Sequence, residues 1–223
     1  MIGIFLVITG LFLWVFRDTS ILDYNYAGLD QLFAIAPIIF MFLIPAITMR
    51  SLAEEYQQGT IELLFTKPLS ASQILIGKFL ANWTLSILAI LPTLIYYYSV
   101  YQLGSPIGNI DTGAVIGSYI GLFFLAGGFV AIGMLASSLT QNQIVAFLLA
   151  VFMCFMMHWS FDYLSKLSMF FGKTDGLVEK LGISYHYRNI SKGLIESRDV
   201  IYFISIIIFF LWSSIVSLNS KRS

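Results

Sequence analysis

Six apolar stretches without a single Asp, Glu, Lys or Arg dominate this sequence. All 12 acidic and all 12 basic residues lie in the segments between or after these stretches. A charged side chain at the centre of a membrane-spanning helix costs about 2.5–3.5 kcal/mol, and about 20 apolar residues cross a bilayer as a helix. The pattern therefore predicts membrane-spanning helices. The predicted spans are residues 1–16, 32–49, 79–100, 114–139, 144–161 and 200–218.

The composition agrees with this prediction and excludes other classes of protein. Hydrophobic residues make up 58% of the 223 positions and charged residues 11%, whereas a soluble domain carries about 25% charged residues. A formal net charge of zero provides no basic surface for nucleic acid, and a single cysteine excludes an internal disulfide. The predicted fold is all-α and integral to the membrane, with six transmembrane helices in a single domain over residues 1–223.

The first predicted span is shorter than the hydrocarbon core of a bilayer is thick. Its 16 residues rise about 24 Å as a helix, against a hydrocarbon core of about 30 Å. It has neither the basic start nor the small-residue cleavage site of a signal peptide. We expect a transmembrane helix that is preceded by a further segment in the native protein.

The distribution of basic residues leaves the orientation in the membrane open. Six spans place both chain ends on one side, together with residues 50–78 and the turn 140–143. That side carries five Lys or Arg residues and the other side seven, six of them in residues 162–199. We call residues 162–199 the insert. The positive-inside rule applies best to short loops, and without the insert the count is five against one.

Three glycines at four-residue spacing, Gly113, Gly117 and Gly121, mark the start of the fourth predicted span. Small residues at this spacing let two helix backbones approach closely. Two interpretations stay open: packing against another helix of the same chain, or an interface with a second subunit. Both predict that replacing Gly117 with leucine disrupts folding or assembly.

The fifth predicted span ends in a segment rich in sulfur, residues 153–158. Cys154, Met157 and His158 are candidate ligands for Cu(I), because soft sulfur ligands select that ion. Cys154, His158 and Asp162 follow one another at four-residue spacing, which places them on one face of a helix. Methionine also fills irregular gaps in apolar cores, and we expect core packing with no stoichiometric copper.

Nothing in the sequence predicts catalysis by this chain. Gly172, Lys173 and Thr174 resemble the end of a phosphate-binding loop, but the motif needs a glycine five residues before Gly172, and Leu167 stands there. No predicted span holds an acid–base pair. We therefore expect no catalytic residues, no metal and no cofactor in this chain.

The polar segment between the second and third spans, residues 50–78, carries the most informative pattern, and we call its part from 50 to 70 the elbow. Arg50 and Glu54 are i, i+4 neighbours on a predicted first helix, which Gly59 can end in the left-handed conformation. The apolar residues after Thr60 predict a second short helix.

Pro68 stops that second helix, and Ser70 can cap the entry into the third span. Taken by its physics alone, the elbow is either a solvated loop or a docking surface, since an element tied at both ends to membrane helices transmits force well.

The elbow and the residues after it resemble the ABC-2 class of ABC transporter permeases. The matching residues are Glu54, Glu55, Gly59, Thr60, Ile61, Glu62, Leu63, Leu64, Thr66, Pro68, Ser70, Gly77 and Lys78. The resemblance implies that the elbow is the coupling helix region, which contacts a separate ATPase subunit. The residues implied in that contact are Glu54, Glu55, Gly59, Thr60, Glu62, Leu64, Phe65 and Pro68.

Residues 10–16, 44–50 and 185–203 are similar to the permease subunit of gliding-motility ABC transporters. Members of that family begin with a basic interfacial helix before the first span, in line with the expected extension. The resemblance implies a bacterial inner-membrane protein with both termini and the elbow in the cytoplasm and a helical insert outside. Its implied partners are an ABC ATPase subunit, which holds the ATP and Mg, a second permease copy or a paralogous permease, and the lipid bilayer.

Three functions remain as hypotheses at this point. The first is the permease subunit of an ATP-driven exporter associated with gliding motility. The second is a permease of the same class that handles copper or another metal through residues 153–158. The third is a membrane scaffold of a surface or motility machine that transports nothing itself.

Overall fold

The computed structural model describes residues 1–17, 19–24, 27–62, 69–166 and 175–220, and within these ranges every regular element is helical. The helices are α1 (Ile2–Trp14), α2 (Ile21–Tyr24), α3 (Asp30–Thr48), α4 (Ala53–Gln57), α5 (Ala71–Ile90), α6 (Leu94–Leu103), α7 (Thr112–Leu139), α8 (Gln143–Phe155), α9 (Phe161–Ser165), α10 (Asp175–Glu179), α11 (Ile183–Ser191) and α12 (Ser197–Ser220). A 3-10 turn at Leu91–Thr93 joins α5 to α6, and a π-helical turn at Met156–Ser160 joins α8 to α9.

Five helical segments are long and apolar enough to cross a membrane, and they coincide with the second to sixth predicted spans. They are Asp30–Gln57, Ala71–Leu103, Thr112–Leu139, Gln143–Ser165 and Ser197–Ser220. The first predicted span forms only α1, whose 13 residues rise about 20 Å at about 1.5 Å each. The all-helical membrane fold is confirmed, while a sixth crossing stays a prediction.

The helix that contains the third predicted span begins before the apolar stretch. The sequence places the start of that span at Phe79, directly after the charge of Lys78, whereas α5 begins at Ala71. Ser70 and Gln73 form a reciprocal capping box there, as the sequence predicts for Ser70. Lys78 is accommodated inside the helix by polar groups of the elbow, so its charge does not end the helix.

Helix α7 lies at the centre of the bundle, and nearly every residue from 125 to 138 is buried. Its glycines set how closely the neighbours pack. A methyl group on Gly133 would lie 2.1 Å from Thr48 Oγ1 of α3. One on Gly127 would lie 3.0 Å from Ile207 of α12 and 3.2 Å from the Trp83 ring of α5. Small residues thus let α3, α5 and α12 surround α7 at short range.

Helix α11 belongs to the insert, yet it packs among the crossing helices. Its Tyr187 hydroxyl donates a hydrogen bond of 2.7 Å to the carbonyl oxygen of Phe33 in α3. Pro37 has no N–H to offer that carbonyl, so Tyr187 supplies the missing donor. Burial raises the pKa of the Tyr187 hydroxyl above its ordinary value, which keeps it protonated as a donor at neutral pH. The helical insert predicted between the fifth and sixth spans is therefore present and attached to α3.

The connections gather at two opposite ends of the bundle. At one end, the elbow lies beside the end of α7 and the last turn of α12, where Ser217 Oγ donates to the carbonyl oxygen of Ser138 at 3.2 Å. At the other end, α11 lies against the first turns of α7, where Ser118 Oγ donates to the carbonyl oxygen of Ser191 at 3.1 Å.

Candidate coupling site

A single hydroxyl group of α7 holds the first turn of the elbow. The backbone N–H groups of Leu52 and Ala53 both donate to Ser137 Oγ at 3.0 Å. Ser137 Oγ in turn donates to the carbonyl oxygen of Met49 at 3.1 Å. Since the first N–H groups of a helix have no partner within it, Ser137 caps α4 from another helix. Leu52 and Ala53 are completely buried at this contact.

An ion pair holds the other side of the elbow to α5. Lys78 Nζ lies 2.5 Å from Glu55 Oε1 and donates to the carbonyl oxygen of Ser51 at 2.6 Å. One turn further along α5, Asn82 Nδ2 donates to Ser51 Oγ at 2.8 Å. Both charged side chains are about a quarter exposed, so the pair lies at the edge of the bundle. The elbow is therefore connected to α5 and α7 at the same time.

The elbow turns sharply after α4. Gly59 has φ +70°, the left-handed conformation that glycine adopts without strain, and its N–H donates to the carbonyl oxygen of Tyr56 at 3.3 Å. This is the helix end that the sequence predicts for Gly59. Thr60 Oγ1 reaches back to the carbonyl oxygen of Glu55 at 3.4 Å, and Ile61 is buried in the core beyond the turn.

The residues that the resemblance implies in ATPase contact divide into inward and outward groups. Glu55 points inward to Lys78, while Gly59 and Glu62 are exposed and Glu54 and Thr60 are half-buried. Gln57 and Gln58 are exposed beside them. Leu64, Phe65 and Pro68 lie outside the described residues. Within the described part of the elbow, the free surface is thus the tip around Gly59.

The sequence does not single out the residues that hold the elbow in place. Ser137 is one of two adjacent serines at the end of an apolar helix, and nothing in its neighbourhood along the chain marks it. Asn82 lies within a predicted span. Lys78 belongs to the family motif, but the motif does not indicate which residue it contacts. Their roles depend on contacts with residues 27 to 88 positions away in sequence.

The glycine stripe lies against α11. A methyl group on Gly117 would lie 2.4 Å from the carbonyl oxygen of Ile190, and one on Gly121 would lie 3.2 Å from the Tyr187 ring. Gly113 has a looser environment, since its nearest contact is Asp111 Oδ1 at 3.3 Å. Gly117 and Gly121 therefore pack within this chain.

The sulfur-rich segment overlaps the π-helical turn Met156–Ser160. Cys154 and His158 are buried, and the His158 ring lies edge-on to Phe129 with centroids 6.0 Å apart. Asp162, which the sequence places on the same face, instead forms ion pairs with Lys166 and Arg188. A π-helical turn has i→i+5 hydrogen bonds, so it shifts the helical register between Cys154 and Asp162. Among the described residues, no three His, Cys, Asp or Glu side chains come close enough to hold a metal ion.

The fold and the elbow together define a class: a polytopic helical membrane protein with a structured polar element between two crossing helices. A family model described as "ABC-2 family transporter protein" matches residues 8–169. The chain belongs to the ABC-2 family of transporter proteins, whose members are the membrane permeases of ABC transporters.

Two curated relatives of moderate sequence identity support membership of the same family. The chain is 33% identical over 127 residues to the probable multidrug ABC transporter permease YbhS of Escherichia coli strain K12, and equally to that of Escherichia coli O157:H7. The aligned region covers 54% of this chain and 31% of each relative. The chain thus spans about a third of the length of the curated relatives it matches.

Proposed function

We propose that this chain is the permease subunit of an ATP-driven exporter and that its elbow receives the movement of a separate ATPase subunit. The observation that carries the proposal is the connection of the elbow to two crossing helices, to α7 through Ser137 and to α5 through Lys78. Movement at the exposed tip near Gly59 would pass to both helices. Coupling of this kind requires an element whose position both sites bias.

The elbow suits docking better than insertion into lipid. Glu54, Glu55 and Glu62 would each cost a few kcal/mol within the hydrocarbon region, and Glu62 is exposed at the tip. The polar tip of the elbow is therefore suited to bind a water-soluble protein on that side of the membrane. In this proposal ATP and Mg are bound by that ATPase, and this chain holds no cofactor of its own.

The proposal extends to assembly and location. Two copies of this chain, or one copy and a paralogous permease, form the transport path across a bacterial inner membrane, with the elbow in the cytoplasm. The resemblance of residues 185–203 to gliding-motility permeases supports a role in gliding. The relatives are named as probable multidrug permeases, which supports export of apolar or amphipathic cargo.

The test is affinity purification of the tagged chain from native membranes, with its ATPase partner identified by mass spectrometry. Glu62→Lys and Gly59→Val should leave membrane insertion intact and reduce recovery of the ATPase, or uncouple ATP hydrolysis from transport. Gly59→Val forces a β-branched residue to a φ of +70°. Glu196→Lys makes the same charge change on an exposed residue of the opposite end and serves as the matched control.

Two results would contradict the proposal. Normal ATPase recovery and normal function in both elbow variants would show that the elbow is only a solvated loop. Full function with a partner ATPase that cannot hydrolyse ATP would favour the non-transporting scaffold instead. A separate outcome, unchanged surface motility in a deletion strain, would contradict only the assignment to gliding.

A further inference from the structure

A small cavity lies where the insert meets the last crossing helix, at the end of the bundle opposite the elbow. It has a volume of about 50 Å³, and since one water-sized group needs about 10–15 Å³, it can hold a few such groups. Its lining combines basic, acidic and amide side chains from α11, from α12 and from the turn before α11. These residues are Lys180, Tyr185, His186, Asn189, Arg198 and Asp199.

The acidic residue of this cavity has a hydrogen-bond acceptor without a donor. Asp199 is 2% exposed. Its Oδ1 atom lies 2.6 Å from His186 Nδ1, whereas its Oδ2 atom has no hydrogen-bond partner among the described residues. Buried polar atoms nearly always have a partner, because a buried atom without one costs free energy. The open acceptor at Oδ2 thus favours a ligand that brings N–H donors into the cavity.

The basic residues lie at the mouth of the same cavity, since the side chains of Lys180 and Arg198 are exposed. Arg198 pairs with Glu196, while Lys180 forms no ion pair within the part of the chain that the structure describes. The half-buried Asn189 adds an amide that can donate as well. Cationic donors of this kind bind phosphate oxygens strongly. The cavity therefore offers an acceptor at its inner end and donors at its mouth.

The cavity also lies at the level where the last span begins. Asp199 directly precedes the apolar stretch 200–218. Within that stretch, the Tyr202 hydroxyl donates to the carbonyl oxygen of Leu181 at 2.6 Å, so the residue after Lys180 lies beside the first apolar turn of α12. The Leu181 side chain is 56% exposed there. A ligand in the cavity would thus have apolar surface directly beside its polar contacts.

We propose that this cavity binds a phospholipid whose headgroup carries a primary ammonium group, as in phosphatidylethanolamine, in the leaflet away from the elbow. The ammonium group enters the cavity and donates to Asp199 Oδ2. The phosphate group accepts hydrogen bonds from Lys180 and Arg198 at the mouth, and the acyl chains lie along Leu181 and the exposed apolar face of α12. A headgroup without N–H donors fits less well, because it leaves Oδ2 without a partner.

The first test leaves the protein unaltered. The full chain, freed of lipid in detergent, is titrated with phosphatidylethanolamine and with its mono-, di- and trimethylated forms of identical acyl chains, and native mass spectrometry measures the bound lipid. Each methyl group removes one N–H donor, and phosphatidylcholine at the end of the series has none. The affinity should fall about tenfold along the series, the size expected for loss of a charge-assisted hydrogen bond.

Two results of this titration would overturn the proposal. One is an affinity that stays constant as methyl groups are added. The other is binding of phosphatidylglycerol, which has the phosphate but no ammonium group, as tightly as phosphatidylethanolamine.

The second test uses variants of the two ends of the cavity. Lys180→Gln should weaken binding of every lipid in the series about fivefold, since it removes a contact to the phosphate that all of them share. Lys192→Gln, at an exposed lysine of the same insert that does not line the cavity, is the matched control and should change the affinity less than about twofold. Equal effects of the two substitutions would show a general attraction between the basic insert and lipid, and would contradict the site.

Asp199→Asn should act on the headgroup preference instead. A neutral amide oxygen binds an ammonium group more weakly than a carboxyl group does, so the preference for phosphatidylethanolamine over phosphatidylcholine should fall about fivefold. An unchanged preference in this variant would contradict the role of Asp199. The methylation series on the native chain decides the same point if this variant does not fold.

Glycerophosphoethanolamine, the same headgroup without acyl chains, separates a lipid from a soluble ligand. At a concentration equal to that of the lipid it should leave bound phosphatidylethanolamine in place, because it lacks the apolar chains that lie along Leu181 and α12. Displacement of the lipid at that concentration would overturn the lipid assignment in favour of a soluble zwitterion.

Discussion

Gly133 lies where α7 crosses α3, and the absence of a side chain there sets the distance between the two helices. Thr48 occupies the space that a Cβ would need, and its hydroxyl donates back to the carbonyl oxygen of Ile44 at 3.0 Å. Thr48 is completely buried, so it cannot move towards solvent. Gly128, on the same helix, has Ile206 Cγ2 at 3.9 Å as its nearest neighbour and tolerates a methyl group.

This contrast gives a prediction at the residue scale. Gly133→Ala should lower the free energy of unfolding by about 1–3 kcal/mol, the usual cost of overpacking, because α3 has to shift away from α7. Gly128→Ala should leave it nearly unchanged. The midpoint of thermal unfolding of the purified chain in detergent measures both. Equal midpoints for the two variants would show that the contact at Thr48 is not limiting.

The elbow shows how an element too short to be stable by itself is held in one conformation. Helix α4 has five residues, and isolated helices below about 12–15 residues are marginal in water. Its order depends on the cap from Ser137 and the ion pair to Lys78. These contacts come from different helices, so α4 reports the relative position of α5 and α7.

The element-scale prediction compares two neighbouring glutamates. Glu55→Gln removes the negative charge that pairs with the Lys78 ammonium and should destabilise the elbow by about 1–3 kcal/mol. Glu54→Gln should change stability by less than about 0.5 kcal/mol, since the one side-chain hydrogen bond that Glu54 accepts from the described residues comes from exposed Gln58. Hydrogen exchange of the α4 amides measures the difference. Equal protection in the two variants would count against a role of the ion pair in holding the elbow.

Across the whole molecule, the elbow and the insert lie at opposite ends of the crossing helices. Ser217 near the end of α12 contacts Ser138 close to the elbow, whereas Asp199 at its start contacts His186 of α11. A partner that pushes the elbow and a change in the insert would thus act on the two ends of α7 and α12.

This arrangement predicts labelling from opposite sides of the membrane. Gln58→Cys, at the exposed tip of the elbow, should react with an impermeant maleimide only from the cytoplasmic side, and Leu194→Cys only from the other side. The native chain, whose Cys154 is buried, measures the background labelling. Reaction of both cysteines from one side would contradict the arrangement of the spans, and reversed sides would contradict the proposed orientation alone.

Much of the fold could be predicted from local sequence. The second to sixth spans follow from the cost of placing charges in lipid, which acts on each segment separately. The turn after α4 at Gly59 and the start of α5 after Ser70 follow from backbone and capping preferences of single residues. Family membership follows from the elbow motif and is supported by the match over residues 8–169.

The tertiary structure decided what distant residues do for one another. The sequence excludes Lys78 from the membrane because it is charged, but only the fold shows Glu55 and Ser51 beside its ammonium within α5. Likewise, Tyr187 donates a hydrogen bond to the carbonyl oxygen of Phe33, 154 residues earlier, for which Pro37 has no N–H. Local propensities and transfer energies depend on neighbours in sequence, whereas hydrogen bonds and glycine contacts depend on neighbours in space. For that reason the sequence determined the crossing segments of this protein, and the packing around α7 determined how the elbow and the insert are attached to them.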